Sequence, residues 1–262
     1  MNDSKEFGVA RIALIPMRIE ASDKSEMISQ LLFGETYQVL ERLEKWVLIR
    51  NDFDDYEGYI DINQFHRIET SYYEQILNSE FKICTDLFSK ILYKKKNLNI
   101  PIGSILPITS TELFEMAEQF AFIGESKNSG EKYNFEQLKN ISLKYLNTPY
   151  LWGGKGPLGI DCSGFVQQVF KISGYSLYRD AWQQYSQGEK IDKLNASQPG
   201  DVAFFENEHK KISHVGIILD ENQIIHASGY VRLDKLDEKG IFNIQTELHT
   251  HKLAGIKRFI RT

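Results

Sequence analysis

An α+β chain is predicted: one or two small β-barrels first, then a larger domain in which helices give way to a run of strands. Three observations carry this reading. Residues 8–68 hold several short β-branched and aromatic runs separated by turn residues, the spacing of a small barrel. Helical periodicity begins at Asn134 and recurs after residue 161. Beyond Gln198-Pro199-Gly200-Asp201 the apolar residues alternate in the manner of half-buried strands.

In chain order, Arg11-Ile12-Ala13-Leu14-Ile15 reads as a strand ended by Pro16, and the polar stretch Ser22 to Gln30 as a loop. Glu35 to Leu40, Trp46 to Arg50 and Tyr56 to Ile60 follow as strands, with an acidic turn over Asn51 to Asp55. Tyr73 to Leu92 has mixed periodicity that a helix would fit. Lys94-Lys95-Lys96-Asn97 reads as a solvated basic turn. Ile100 to Pro107, with a proline near each end, suits an edge strand. Ser126-Lys127-Asn128-Ser129-Gly130 is the linker candidate. The division expected is therefore a β-barrel over 1–70, a second β-rich module over 71–128 and a larger domain over 134–262.

In that last domain Phe135, Leu138, Ile141, Leu143 and Tyr145 mark a helix stopped near Asn147 by Pro149. A glycine-rich loop, Tyr150 to Pro157, leads to a second helix that starts near Cys162 and is capped at Gly174. Val202–Phe205, Ile212–Leu219, Gln223–Ala227 and Leu253–Phe259 are the strands expected after it.

The 262 residues exceed the roughly 150 of an average domain, so one large or two to three small domains are allowed. With 42% hydrophobic and 26% charged residues the chain can build a core and is not a disordered one. A formal net charge of −5 argues against nucleic-acid binding through phosphate neutralisation. No apolar run is long enough for a transmembrane helix, so no membrane insertion is expected. The opening Met1-Asn2-Asp3-Ser4-Lys5-Glu6 is not a signal peptide. A cytoplasmic location is expected, the cell envelope being the alternative should a leader have been removed. Two cysteines, Cys84 and Cys162, rule out a disulfide framework, although a single bridge is formally allowed.

Cys162 is the first chemical candidate. It stands at a helix start, where unpaired backbone N–H groups and the helix dipole favour an anion and lower a thiol's pKa. The same N–H groups suit a tetrahedral oxyanion. Cys84 has no such setting and reads as core. A thiolate needs a base, and the base a third polar group to orient it. His214 and His226 are the candidates, on two strands of a hairpin across Asp220-Glu221-Asn222. A three-residue loop would pair 219 with 223 and put both histidines on one face; a two-residue loop would put them on opposite faces. Cys162, His209, His214, His226, His249 and His251 could also be read as metal ligands, but none shows a strong zinc spacing. The glycines of 153–156 lack the Gly-Lys-Ser/Thr of a phosphate loop.

Together these segments resemble the NlpC/P60 family of cell-wall peptidases. The residues concerned are Pro149-Tyr150-Leu151-Trp152-Gly153-Gly154, Asp161-Cys162-Ser163-Gly164-Phe165-Val166, Pro199-Gly200-Asp201-Val202, Ser213-His214-Val215-Gly216-Ile217 and Ile225-His226-Ala227. The likeness spans about residues 134–262. The N-terminal part is similar to the bacterial SH3 modules of the YkfC-like branch, the second module being the weaker match.

The resemblance implies a papain-like α+β domain behind one or two SH3-like barrels. It also implies hydrolysis of the γ-D-glutamyl–diamino acid bond of peptidoglycan stem peptides, with a preference for small peptides carrying a free N-terminal L-alanine. On this footing Cys162 is the nucleophile, His214 the general base and later acid, and His226 the residue that orients it. Tyr150 falls beside the oxyanion, with the Cys162 N–H as the other donor. Asp161, which equally suits a helix N-cap, is the acidic residue expected to hold the substrate ammonium. Ser163, Trp152 and the Arg179-Asp180-Ala181 segment fall at substrate-contacting positions, as do Glu26 and Tyr56 of the first module. No cofactor is implied, and the partners implied are peptidoglycan-derived peptides. Two alternatives stand beside this: amidase or acyltransferase chemistry on the same fold, and a wall-binding protein with a spent thiol domain.

Overall fold

The computed structural model describes residues 5–106 and 120–260. Its contacts divide the chain into two units: residues up to 131 together with 152–157, and residues 132–151 together with 158 onward.

The first unit opens with seven strands: Glu6–Val9 (β1), Leu14–Arg18 (β2), Met27–Leu32 (β3), Thr36–Arg42 (β4), Trp46–Asn51 (β5), Glu57–Asp61 (β6) and Arg67–Ile68 (β7). They form one sheet in the order β3-β2-β6-β5-β4-β1-β7. Alternation sends Ile15, Met17, Leu31, Tyr37, Val47, Ile49 and Ile60 into a single core. A helix, Thr70–Asn78 (α1), lays Tyr72 and Tyr73 on Phe7, Val9 and Ile68. Six strands follow: Lys82–Cys84 (β8), Phe88–Tyr93 (β9), Lys96–Pro101 (β10), Ile105–Leu106 (β11), Phe120–Ile123 (β12) and Ser126–Asn128 (β13). They make two three-stranded sheets, β10-β9-β12 and β11-β8-β13, around Phe33, Cys84, Ile91, Ile100 and Leu106. Lys155–Gly156 (β14) completes this unit. The Lys155 N–H donates to Gln30 Oε1 (2.8 Å), and Lys155 Nζ lies 3.5 Å from Glu35 Oε1, both side chains being buried.

Several sequence expectations need correcting here. Pro16 does not end a strand but sits inside β2, opposite Gln30. This is tolerated because β6 reaches β2 only at Arg18, so the strand is paired on one side at the proline. The supposed loop over residues 22–30 becomes β3 from Met27, its Ser29 and Gln30 being buried by tertiary packing that polarity alone does not reveal. The helix suggested for 73–92 ends at Asn78 and two strands replace the rest. Lys94 and Lys95 form a two-residue hairpin turn, both with positive φ (47° and 63°), and Lys96 already belongs to β10. The linker candidate is mostly strand, since residues 126–128 pair with β8. Pro107 lies outside the described residues.

The second unit has three helices, Phe135–Lys144 (α2), Cys162–Ile172 (α3) and Ala181–Tyr185 (α4). Its strands are Gly159–Ile160 (β15), Glu189–Ile191 (β16), Val202–Glu206 (β17), Ile212–Asp220 (β18), Gln223–Ser228 (β19), Tyr230–Asp237 (β20), Gly240–Asn243 (β21) and Leu248–Arg258 (β22). Asn134 and Gln137 form a capping box at the start of α2. At the end of α3, Gly174 (φ 87°) sends its N–H to Lys171 O while Tyr175 N–H reaches Phe170 O, a Schellman stop that a side chain at residue 174 would strain.

The main sheet runs β16-β22-β17-β18-β19-β20-β21, and β21 pairs again with β22. Six strands therefore close on themselves around Ala203, Phe205, Ile218, Ile224, Leu236, Ile241 and Ile256. Helix α3 is buried along its whole length and packs on β18 and β19 from outside that core. The mixed α+β architecture with a leading β-rich region is the one the sequence predicts. Among the described residues no helix is long and apolar enough to cross a membrane, and both cysteines are free thiols.

Candidate active site

The site grows from the start of α3 and from one face of the hairpin β18–β19. Asp161 is the N-cap: its carboxylate accepts the Gly164 N–H at 2.6 Å, which fixes the first turn and makes Cys162 the first helical residue. Cys162 is 7% exposed. Its sulfur accepts the backbone N–H groups of Ser163 and, from the neighbouring strand, of Val215. The second contact seats the thiol beside the residue that follows His214.

His214 and His226 share a face. Gly216 stands opposite His226 and Ile218 opposite Ile224. The turn itself has only two residues between the paired Asp220 and Gln223, but a bulge at Leu219 restores the register that a three-residue loop would give. That is how a two-residue turn keeps both imidazoles on one side. Gly216 leaves the space they need: a Cβ there would stand 2.8 Å from the Cβ of His226. The rings meet at right angles (87°), with His214 Nε2 2.8 Å from His226 Nδ1. His226 Nε2 lies in turn 3.1 Å from Asp234 Oδ2 on β20. His251 of β22 stacks on His214, centroids 4.0 Å apart and planes 27° apart. By strand alternation these groups extend the inward faces that carry Ile218, Ile224 and Leu236, so they form a polar layer on the barrel's apolar core.

The electrostatics correct one sequence expectation. Burial, and then the negative charge of Asp161, push the Cys162 thiol up to about 12, outweighing the N–H of Ser163, Arg179 and the N–H of Val215. Burial and the neighbouring His226 and His251 hold His214 well below its ordinary value. The resting pair is thus neutral thiol and neutral imidazole, not an ion pair. Burial lowers His226 as well, against the pull of Asp234. Burial and His226 bring His251 to about 4. Burial raises the Asp234 carboxyl, but hydrogen bonds from His226, the Ile244 N–H and Arg232 more than offset this and leave it below the usual range.

These buried neutral histidines predict acid sensitivity. Their folded pKa values lie below the unfolded 6.5, so the unfolded chain binds more protons in acid. Stability from this source is complete above 6.5 and falls as pH drops beneath it, by at most about 1.4 kcal/mol per pH unit for each of His214 and His226. Half-exposed His251 adds less. Thermal melts should show Tm dropping between pH 7 and pH 5; a flat Tm across that interval would contradict the assignment.

The other candidates fall as follows. Tyr150 is held by its N–H to Gly229 O (2.9 Å) and by a bridge to Ile160. Burial raises its hydroxyl, as would a thiolate at Cys162 and as does the Asp161 charge, so it remains a neutral donor near the thiol. Asp161 is both cap and ion-pair partner: Arg179 Nη2 donates to its Oδ2 (2.6 Å) and Nη1 to its Oδ1 (3.1 Å). Arg179 Nη1 also donates to Ser163 Oγ (3.0 Å). Asp180 caps α4, with Gln183 Oε1 accepting its N–H (2.9 Å), and Ala181 is the buried first residue of that helix. Glu26, Tyr56 and Trp152 belong to the first unit. There exposed Trp152 donates its indole N–H to Glu26 (2.5 Å), and Tyr56 packs on the β2–β6 core.

Sequence reasoning missed Asp234 altogether and knew His251 only as one of six metal candidates. The signal for Asp234 was present: Ser228-Gly229-Tyr230 can reverse the chain tightly, and Val231, Leu233 and Leu236 hint at another strand. In the register formed, His226 faces Arg232 and Asp234 lies two residues further on the same face.

Comparison with known proteins agrees with this picture. The model for the NlpC/P60 family matches residues 147–250, and that for the bacterial dipeptidyl-peptidase Sh3 domain matches residues 17–65. The chain is 29% identical over 245 residues to dipeptidyl-peptidase 6 of Lysinibacillus sphaericus, covering 82% of this chain and 86% of that protein. It is 28% identical over 218 residues to γ-D-glutamyl-L-lysine dipeptidyl-peptidase of Bacillus subtilis, covering 76% and 71% respectively. In fold it is similar to an NlpC/P60 family protein from Bacillus cereus, with a TM-score of 0.83 at 18% identity over 98% of this chain and 100% of that one.

Proposed function

We propose, from the match of residues 147–250 to the NlpC/P60 family and of residues 17–65 to the bacterial dipeptidyl-peptidase Sh3 domain, that this chain cuts peptides derived from peptidoglycan between γ-D-glutamate and the L-diamino acid. The observation that carries this is the buried thiol of Cys162, tied to the Val215 N–H beside a His214–His226 pair 2.8 Å apart. The curated relatives named for γ-D-glutamyl-L-lysine bonds supply the substrate class.

As the Cys162 sulfur bonds to the γ-amide carbonyl carbon, its proton passes to His214 and the carbonyl π electrons move onto oxygen. The Cys162 N–H and the neutral Tyr150 hydroxyl are the donors for that oxyanion. Collapse breaks the C–N bond, and His214 returns the proton to the departing amine. Water then attacks the thioester with His214 again as base, and the thiol leaves with its proton restored. Residues 134–262 act as the catalytic domain in this reading, and 71–128 as a second SH3-like module.

Mass spectrometry of synthetic L-Ala-γ-D-Glu-L-diamino acid tripeptides tests it. Release of L-Ala-D-Glu and free diamino acid is expected. With the N-acetylmuramoyl-tripeptide run in parallel, intact tripeptide and cleavage only at the N-acetylmuramoyl–alanine bond would overturn it in favour of an amidase.

The preference for a free N-terminus belongs to the same proposal and rests on Asp161. Its carboxylate, held by the Gly164 N–H and by both Arg179 Nη groups, is the acidic group that a substrate ammonium would approach beside the thiol. Because Arg179 already offsets that charge, acetylating the substrate amine should lower kcat/KM by about tenfold, the low end for a charge-assisted bond. Equal rates on blocked and free peptide would leave Asp161 a cap and ion-pair partner alone. A free-amine preference suits fragments already cut from glycan, so we place the activity in peptide recycling within the cytoplasm.

A further inference from the structure

We infer that Asp234 is a positioning residue that sets the tautomers of both histidines and thereby decides which nitrogen of His214 takes the thiol proton. The inference rests on the thiol chemistry proposed above and extends it by one residue.

The argument follows the hydrogen bonds inward. Asp234 is 1% exposed and ionised, so it only accepts. Its Oδ1 is filled by Arg232 Nη2 and by the Ile244 N–H, each at 3.0 Å. Its Oδ2 faces Arg232 Nε at 2.8 Å and His226 Nε2 at 3.1 Å; the carboxylate has no hydrogen to give, so the His226 nitrogen must carry it. A neutral His226 then has a bare Nδ1, which accepts from His214 Nε2 at 2.8 Å. The proton of neutral His214 is therefore on Nε2, and its Nδ1 holds the lone pair. Nδ1 is also the ring nitrogen not already engaged by His226. The carboxylate thus determines, two rings away, that the base nitrogen stands empty before substrate arrives.

Asp234→Asn reverses the relay. Two donors, Arg232 Nη2 and the Ile244 N–H, meet the Oδ1 side, so the amide oxygen stays there and the NH2 turns toward His226, displacing only Arg232 Nε. His226 must then accept at Nε2, carry hydrogen on Nδ1 and donate to His214, which is driven to the Nδ1–H form with its base nitrogen occupied. Turnover of the tripeptide by D234N should fall by about 10²- to 10⁴-fold in kcat, with KM within about threefold of wild type.

The deciding readout is independent of turnover. Nitrogen-15 NMR of the full chain labelled at histidine, assigned with His214→Gln and His226→Gln, should show Nε2–H on both rings in the wild type and Nδ1–H on both in D234N. A wild-type His214 protonated on Nδ1, or a folded D234N with kcat within about threefold of wild type, would overturn the inference. Should D234N not fold, the wild-type spectrum alone decides. Should the wild type cleave no γ-D-glutamyl peptide, the functional reading fails and the tautomers still judge this relay.

Discussion

Cys162→Ala should lower kcat by about four to six orders of magnitude while leaving the fold intact, and His214→Ala should cost about as much. The double variant should be no slower than either single one, because the thiol and the imidazole act as one proton-transfer unit. Additive losses would mean that His214 acts elsewhere. The resting ionisation sharpens this expectation. With the thiol pushed up to about 12 and His214 held well below 6.5, no thiolate accumulates before substrate binds. Deprotonation has to accompany attack, and the low resting reactivity protects a buried nucleophile from adventitious oxidation. Alkylation of Cys162 by iodoacetamide at neutral pH should consequently be slower than that of a free cysteine. Strong ultraviolet thiolate absorbance in the resting wild type, absent from C162A, would contradict this.

Arg179→Met should destabilise the second unit by about 3–5 kcal/mol, the usual consequence of stranding a buried charge. Arg179 is 1% exposed and grips both oxygens of Asp161, which is itself 6% exposed. Losing it leaves a carboxylate without its countercharge directly beside the thiol. Asp161→Asn in the Arg179→Met background should recover part of the loss, since the remaining side chain is neutral and still caps α3. Chemical denaturation of wild type and these two variants checks this; a single Arg179→Met variant within about 1 kcal/mol of wild type would show that the pair contributes little.

The legibility of these residues in the sequence varied with the range of the physics involved. Cys162 at a helix start was readable because capping is local: Asp161, Gly164 and the upstream glycines lie within one loop and turn. The shared face of His214 and His226 was readable only as a conditional, since strand alternation is local while a bulge at Leu219 is decided by pairing. Asp234 escaped because its polarity masks a strand that exists through pairing with β19 and β21. The stacking of His251 needed barrel closure, which no local pattern announces. The same limit explains Ser29, Gln30 and Lys127, polar residues that read as loop or linker until their burial in sheets is known. The thiol's acidity was misjudged for a related reason: the helix start is visible in sequence, whereas the lid of neighbouring residues that desolvates it is not.

The long final strand β22 pairs with β16, β17 and β21 at once. A ribosome making this chain releases nucleophile, base and orienting residues well before Arg258. Until that strand emerges, β17 and β21 are both left with raw edges and the ring stacked on His214 is missing. Nascent chains should therefore stay catalytically silent until β22 has emerged, and a chaperone that shields sheet edges would matter most before then.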